Sequence, residues 1–129
     1  MKVDIGPYPE DGGERDVKVE LTSDDTYSLD NTLAYIIHDS LVAFKKDTNS
    51  TPPISKTDVP DYISDWDEYG YSEDAWLWIL DEMIWAFWAV NHYEKDGLDI
   101  TWLDKDEVDA KRFKAGLDFF SKYFTALWW

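Results

Sequence analysis

The stretch that decides the fold is Ala75–Val90, AWLWILDEMIWAFWAV. Every residue in it is apolar except Asp81 and Glu82, and four of them are tryptophans. A helix that is apolar on nearly every side must be surrounded by other protein. We therefore predict a central helix over residues 72–93, with Ser72 as its N-cap.

Two further helices are expected to pack against this one. Apolar residues at helical spacing predict a helix over residues 28–46, with Ser28 as its N-cap. A seam that begins at Phe113 and steps by four and three residues predicts a third helix over residues 104–127. Gly116 lies inside that helix at a cost of about 1 kcal/mol, which a close approach by another backbone would explain. The fold class is therefore mainly α, with a three-helix core.

The N-terminal segment and the middle of the chain have a different character. Residues 1–25 contain two short alternating runs, Val3–Ile5 and Val17–Leu21, with a glycine- and proline-rich turn between them. This segment is either a short β-hairpin or a disordered acidic arm, and residues 26–129 form a single helical domain. Three prolines prevent a regular helix in residues 47–60.

Composition excludes several classes of protein. The 129 residues include 28 acidic and 12 basic side chains, a net charge of −16, together with eight tryptophans. Disordered acidic chains are poor in aromatic residues, so a packed core is expected. The absence of cysteine excludes a disulfide framework and thiol catalysis. The negative charge argues against direct binding to nucleic acid or to an anionic membrane surface, and no apolar stretch is long enough to span a bilayer.

The negative charge is concentrated in two segments. Residues 1–31 carry a net charge of −6 and residues 47–74 carry −7, whereas residues 104–129 are neutral. Acids in the middle segment could be spaced like the phosphates of DNA and bind a DNA-binding protein, or could only keep the chain soluble. The candidates for such a protein contact are Asp58, Asp61, Asp65, Asp67, Glu68, Glu73 and Asp74.

The two acids inside the central helix need an explanation, because ionised carboxylates are rarely buried without partners. One of the two, Asp81 or Glu82, could face solvent, and the other should then meet a base from the third helix, a metal or a ligand; plain exposure is the remaining alternative. An adjacent histidine–aspartate pair, His38 and Asp39, resembles a metal ligand pair, and His92 is the only other histidine. A metal-dependent hydrolase is one alternative. It would use Asp81, Glu82, His38 and Asp39.

A pocket between helices is a further candidate site. Aromatic side chains would stack on a ligand, cations would meet its phosphate, and acids would orient it. The expected residues are Tyr27, Trp85 and Tyr123 for stacking, Lys111, Arg112 and Lys122 for phosphate, and Asp30 and Glu82 for orientation.

Four segments resemble a widespread family of small tailed-phage proteins with no assigned reaction. They are TYSLDNTLAYII (26–37), TPPISKTDVPD (51–61), DEMIWAF (81–87) and AGLDFFSKYFTALW (115–128). The resemblance implies a phage origin and a place in the cytoplasm of an infected bacterium. It directs attention to the matching positions, which are Tyr27, Asp30, Thr32, Asp81, Glu82, Trp85, Lys122 and Tyr123.

These patterns favour a non-enzymatic phage protein that binds rather than catalyses. We expect it to counteract host defence by capturing a small nucleotide signal, without a cofactor or a metal. The alternatives are an acidic DNA mimic that inhibits a host DNA-binding protein or nuclease, the metal-dependent hydrolase, and a minor virion assembly protein. The partner would be a defence protein or its small-molecule signal. A homo-oligomer is also expected, because three helices so rich in tryptophan should leave an apolar face uncovered.

Overall fold

The computed structural model describes residues 1–128 and is mainly helical, with a two-stranded sheet near its N-terminus. The predicted fold class is confirmed. Contacts within the chain define two units, one of residues 1–33 and one that begins at Ala34, and the boundary lies inside a helix. Among the described residues, no helix combines the length and the apolar character needed to cross a bilayer.

The first unit contains the predicted hairpin. Strand β1 (Lys2–Ile5) pairs antiparallel with strand β2 (Val17–Glu20), so that Lys2 lies opposite Glu20 and Ile5 opposite Val17. Both strands are exposed along their whole length, and their apolar residues are not part of a buried core. The alternating pattern therefore predicted the pairing correctly, although it reflects β propensity here rather than a buried face.

A one-turn helix that the sequence did not predict follows the hairpin. Helix α1 (Ser23–Thr26) is held by a capping box, in which the Thr22 hydroxyl accepts from the Asp25 N–H and the Asp25 carboxylate accepts from the Thr22 N–H. The next helix, α2 (Leu29–Asp47), starts directly after Ser28. The backbone of Ser28 is left-handed, with a φ of 58°, which makes a sharp turn between α1 and α2.

The central helix, α3 (Glu73–His92), agrees closely with its prediction. Ser72 caps it, because its side chain accepts from the N–H of Ala75. Eight of its residues are buried, more than in any other element described, which confirms its central position. They are Ala75, Trp76, Ile79, Leu80, Met83, Ala86, Phe87 and Ala89.

The third predicted helix is shorter than expected at both ends. Helix α4 spans Val108–Tyr123, with Glu107 as its N-cap. Asp104 forms a separate turn, in which its carboxylate accepts from the N–H of Asp106 and its carbonyl accepts from the N–H of Glu107. The last predicted turn is a 3₁₀ segment, Phe124–Ala126. The predicted boundaries of 104 and 127 were therefore wrong by three or four residues.

Helices α3 and α4 approach each other closely at Gly116. A Cβ atom built there would lie 2.5 Å from the Cβ of Ala86 and 2.7 Å from the carbonyl oxygen of Glu82. This confirms that Gly116 permits a close approach by another backbone. Helix α2 contacts α3 through side chains, among them Tyr35 against His92 and Phe44 against Trp76.

Large side chains pack between α2 and α3. The ring of Phe44 meets that of Trp76 edge to face, with 6.4 Å between centroids, and Trp76 meets Tyr123 in the same way at 6.0 Å. Leu41 is buried in this layer. The indole N–H of Trp76 is also buried and finds no acceptor among the described residues, which is a cost that the aromatic packing must offset.

Candidate functional site

The two acids in the middle of α3, Asp81 and Glu82, are both paired with bases. The Asp81 carboxylate accepts from the Lys45 ammonium at 2.7 Å. The Glu82 carboxylate accepts hydrogen bonds from two guanidinium nitrogens of Arg112, at 2.9 and 2.7 Å. The expected base from the third helix is therefore present for Glu82, whereas Asp81 takes its partner from α2.

Three residues of the predicted ligand pocket come together here, but they bind one another. The guanidinium carbon of Arg112 lies 4.1 Å from the centroid of the Trp85 ring, within the range of a cation–π contact. Glu82 occupies the fork of the same guanidinium, and its side chain is only 15% exposed. A phosphate could reach Arg112 on this side only by displacing a carboxylate that already satisfies it.

A second group joins the linker to the end of α4. The Asp58 carboxylate accepts from the Lys122 ammonium at 2.5 Å and from the Tyr123 hydroxyl at 2.7 Å, and the same hydroxyl accepts from the N–H of Ser55 at 3.5 Å. Burial raises the pKa of Asp58, but the hydrogen bonds from Lys122 and Tyr123 outweigh it and hold that pKa below its usual value. Burial and the bond to Asp58 raise the pKa of Tyr123. This group fastens the proline-rich linker to the helical core.

The predicted cations therefore lie at separate positions along α4. Arg112 and Lys122 are ten residues apart on one helix, which corresponds to about 15 Å along its axis. Lys111 is exposed on α4. Tyr27 is exposed and Asp30 lies in the first turn of α2, both within the unit of residues 1–33. The structure does not bring Arg112 and Lys122 together around one phosphate.

The acidic stretch from the end of the linker to the first turn of α3 is held in a defined conformation. The Asp65 carboxylate accepts from the Ser72 hydroxyl and from the N–H of Asp74, and these hydrogen bonds lower the pKa of Asp65. The Asp67 carboxylate accepts from the N–H of Tyr71 at 2.9 Å. The backbone of Asp67 in turn donates to the Tyr71 carbonyl at 2.8 Å. Two of the acidic side chains are thus fixed by the loop that carries them.

Across residues 1–128, no base is paired with the carboxylates of this stretch. Within residues 1–128, none of its six acids forms an ion pair, in contrast with Asp58, Asp81 and Glu82. Three of the six also line an open concavity of about 500 Å³, together with Thr51 and Tyr71. The six acids, which we call the acidic segment, are Asp61, Asp65, Asp67, Glu68, Glu73 and Asp74.

The residues of the metal-hydrolase alternative do not form a cluster. Across the described part of the chain, no group of three or more histidine, aspartate or glutamate side chains is arranged to hold a metal ion. His38 instead contacts the adjacent Asp39 carboxylate through Nδ1 at 2.9 Å. His38 and His92 nevertheless line one cavity between α2 and α3. On the sequence, His38 was interpreted only as a candidate metal ligand and His92 was given no role, so this cavity was not predicted. Its one signal was an aromatic residue three or four positions before each histidine.

Comparison with known proteins adds no relative to this geometry. A scan against protein family models finds no match, and searches of curated proteins and of solved structures also find none.

Proposed function

We propose that this chain is a non-enzymatic phage protein that acts against a host defence in the infected bacterium. We further propose that it binds a positively charged surface of a target protein through the acidic segment. The phage origin rests on the resemblance of four sequence segments. The acidic contact rests on one observation, that within residues 1–128 six carboxylates form no ion pair and lie on a loop and on the first turn of α3, which hydrogen bonds of Asp65 and Asp67 hold in place.

The charge distribution gives this proposal a physical basis. Elsewhere in the helical unit two half-buried acids, Glu82 and Asp58, are paired with bases, so those charges are largely cancelled. Unpaired carboxylates create a negative potential that attracts a basic partner and accelerates its approach. Because the loop fixes Asp65 and Asp67 before binding, less conformational entropy is lost on contact. A surface that normally binds DNA phosphates has the complementary charge.

Capture of a nucleotide by the predicted pocket residues is the alternative proposal, and the ion pairs count against it. Two of its three cations, Arg112 and Lys122, are already hydrogen-bonded to carboxylates. Breaking such a pair leaves a partly buried acid without its base, which is costly. The acidic segment carries no comparable cost, since none of its charges has to leave an existing ionic partner.

A matched pair of charge variants tests the proposal. The first variant neutralises acids of the acidic segment that accept no side-chain hydrogen bond, and the second removes the same number of charges from residues 1–31. The first carries Asp61→Asn, Glu68→Gln, Glu73→Gln and Asp74→Asn. The second carries Asp4→Asn, Glu10→Gln, Glu14→Gln and Asp24→Asn.

Each immobilised protein is exposed to lysate of the bacterial host, and retained proteins are identified by mass spectrometry. We expect the native protein and the second variant to retain the same DNA-binding proteins, and the first variant to lose them. Added double-stranded DNA should compete, and raising the salt from about 0.05 to about 0.5 M should release them. Equal retention by the two variants would refute a role for the acidic segment.

A further inference from the structure

A cavity of about 330 Å³ lies between α2 and α3, away from the acidic segment. Its volume is at the lower end of the range for small-molecule sites, roughly 300–1,000 Å³. Both histidines of the chain line it, and so do aromatic side chains from both helices. The residues that matter for its chemistry are Tyr35, His38, Asp39, Phe87, Trp88 and His92.

The aromatic side chains of this cavity are arranged around His92. Its ring stacks on Trp88, with 5.4 Å between centroids and only 10° between planes. The rings of Tyr35 and His92 meet edge to face, with 6.1 Å between centroids and 89° between planes. Tyr35 is 55% exposed and Trp88 38% exposed, whereas Phe87 is buried. The cavity therefore has a buried apolar side and open aromatic surface, which suits a flat ring.

The polar edge of the cavity is defined by the two imidazoles. His92 Nδ1 lies 3.0 Å from the carbonyl oxygen of Trp88, and His38 Nδ1 lies 2.9 Å from the Asp39 carboxylate. A carbonyl and a carboxylate can only accept, so Nδ1 carries the proton in each neutral ring. Nε2 of each ring then keeps its lone pair. The two histidines can thus accept hydrogen bonds from N–H groups of a ligand.

The charge around the cavity selects against anions. Among the residues that the structure describes, no lysine or arginine lines it. The Asp39 side chain at its edge is 88% exposed, and the chain as a whole carries a net charge of −16. A phosphate would be repelled here and would find no cation to neutralise it.

We propose that this cavity binds an uncharged, planar heteroaromatic compound of the nucleobase or nucleoside class. The ring packs against Tyr35 and Trp88, and its N–H groups donate to Nε2 of His38 and His92. The buried Phe87 excludes water from one side. This function is separate from protein binding by the acidic segment, and either can be present without the other.

The two histidines allow a direct test on the native protein. Adenosine, guanosine, AMP and zinc chloride are titrated separately, and the two sets of imidazole ring signals are followed by NMR. We expect both sets to shift in a saturable way with at least one nucleoside, with a Kd of about 1 mM or tighter. AMP should bind more weakly than adenosine. This measurement uses only the native protein, so it does not depend on the folding of a variant.

Variants then locate the site by calorimetry. Tyr35→Ala and His92→Ala should each weaken nucleoside binding by about tenfold or more, because each removes a stacking surface and the second also removes an acceptor. Tyr62→Ala, the same change at a tyrosine that is 72% exposed, should leave binding unaltered. Circular dichroism confirms that each variant is folded.

Three results would overturn the proposal. The first is that neither nucleoside shifts the imidazole signals. The second is tighter binding of AMP than of adenosine, which would contradict the requirement for an uncharged ligand. The third is a shift with zinc alone, abolished by His92→Ala, which would assign the cavity to a transition metal held by two imidazoles.

Discussion

The close contact between α3 and α4 makes Gly116→Ala a decisive substitution. The added Cβ would lie 2.5 Å from the Cβ of Ala86 and 2.7 Å from the carbonyl oxygen of Glu82, whereas carbon contacts are ordinarily about 3.5–4.0 Å. Neither atom can rotate away, because the Cβ of Ala86 is fixed by its backbone and the carbonyl of Glu82 belongs to the backbone of α3. The two helices must therefore separate by roughly 1 Å, and the packing around Gly116 must loosen with them.

Two opposing terms set the size of the effect. Overpacking of a core contact costs about 1–3 kcal/mol, and the upper end applies because the obstacle is backbone. Alanine in place of glycine favours a helix by about 1 kcal/mol. The free energy of unfolding should thus fall by about 2 kcal/mol. Urea unfolding followed by far-UV circular dichroism should show a lower midpoint with an unchanged slope.

Two further variants separate these terms. Ala43→Gly, at an exposed position of α2, measures the glycine penalty alone and should cost about 1 kcal/mol. Gly116→Ala should cost less in an Ala86→Gly background than in the native protein, because one of the two clashes is then absent. If Gly116→Ala instead stabilises the protein by about 1 kcal/mol, as at an open helical position, the inferred close contact is wrong.

Three other predictions follow from the polar contacts. Asp58→Asn should lower the free energy of unfolding by about 1 kcal/mol at neutral pH. The folded-state pKa of Asp58 lies below its unfolded value of 3.8, so this difference should persist above that pH and disappear as the pH falls through the lowered folded value, which unfolding in acid would show. The hydrogen bond to Asp109 raises the pKa of Tyr93 to about 12, so the stability it confers should be lost as the pH rises from about 10 to 12. Asp109→Asn should restore an ordinary phenolate titration by ultraviolet absorbance. Arg112→Lys should cost about 1 kcal/mol in urea, because lysine cannot fork onto Glu82; stability equal to the native protein would show that the paired geometry contributes nothing.

The helices were predictable because burial follows the period of the sequence. The apolar run around Trp76 required a central helix, and Gly116 correctly indicated a close helix contact. The start of α4 was not predictable from the same signals. Asp104 is a residue type that caps helices and also forms turns with its own backbone, and here it forms the turn.

The pairing of charges was only partly predictable. Sequence spacing placed Arg112 on the helix that faces Glu82. It gave no indication that Asp81 pairs with Lys45 of α2 and not with a base on α4. Such choices depend on the distances between helices, which follow from the summed volumes of the side chains between them. The cavity beside His92 has the same origin, and an aromatic residue before each histidine was too weak a signal to predict it.

The different contacts of the helices also imply an order of opening. Helices α3 and α4 meet backbone to backbone at Gly116, whereas the described contacts of α2 with α3 include the aromatic pairs Tyr35–His92 and Phe44–Trp76. Detaching that part of α2 exposes an aromatic layer but leaves the close contact at Gly116 intact. Amide hydrogen exchange should therefore be fastest in α2 and slowest in α3 and α4. Because α3 and α4 are neighbours in sequence, they form a short-range pair that can assemble first and supply the surface on which α2 docks.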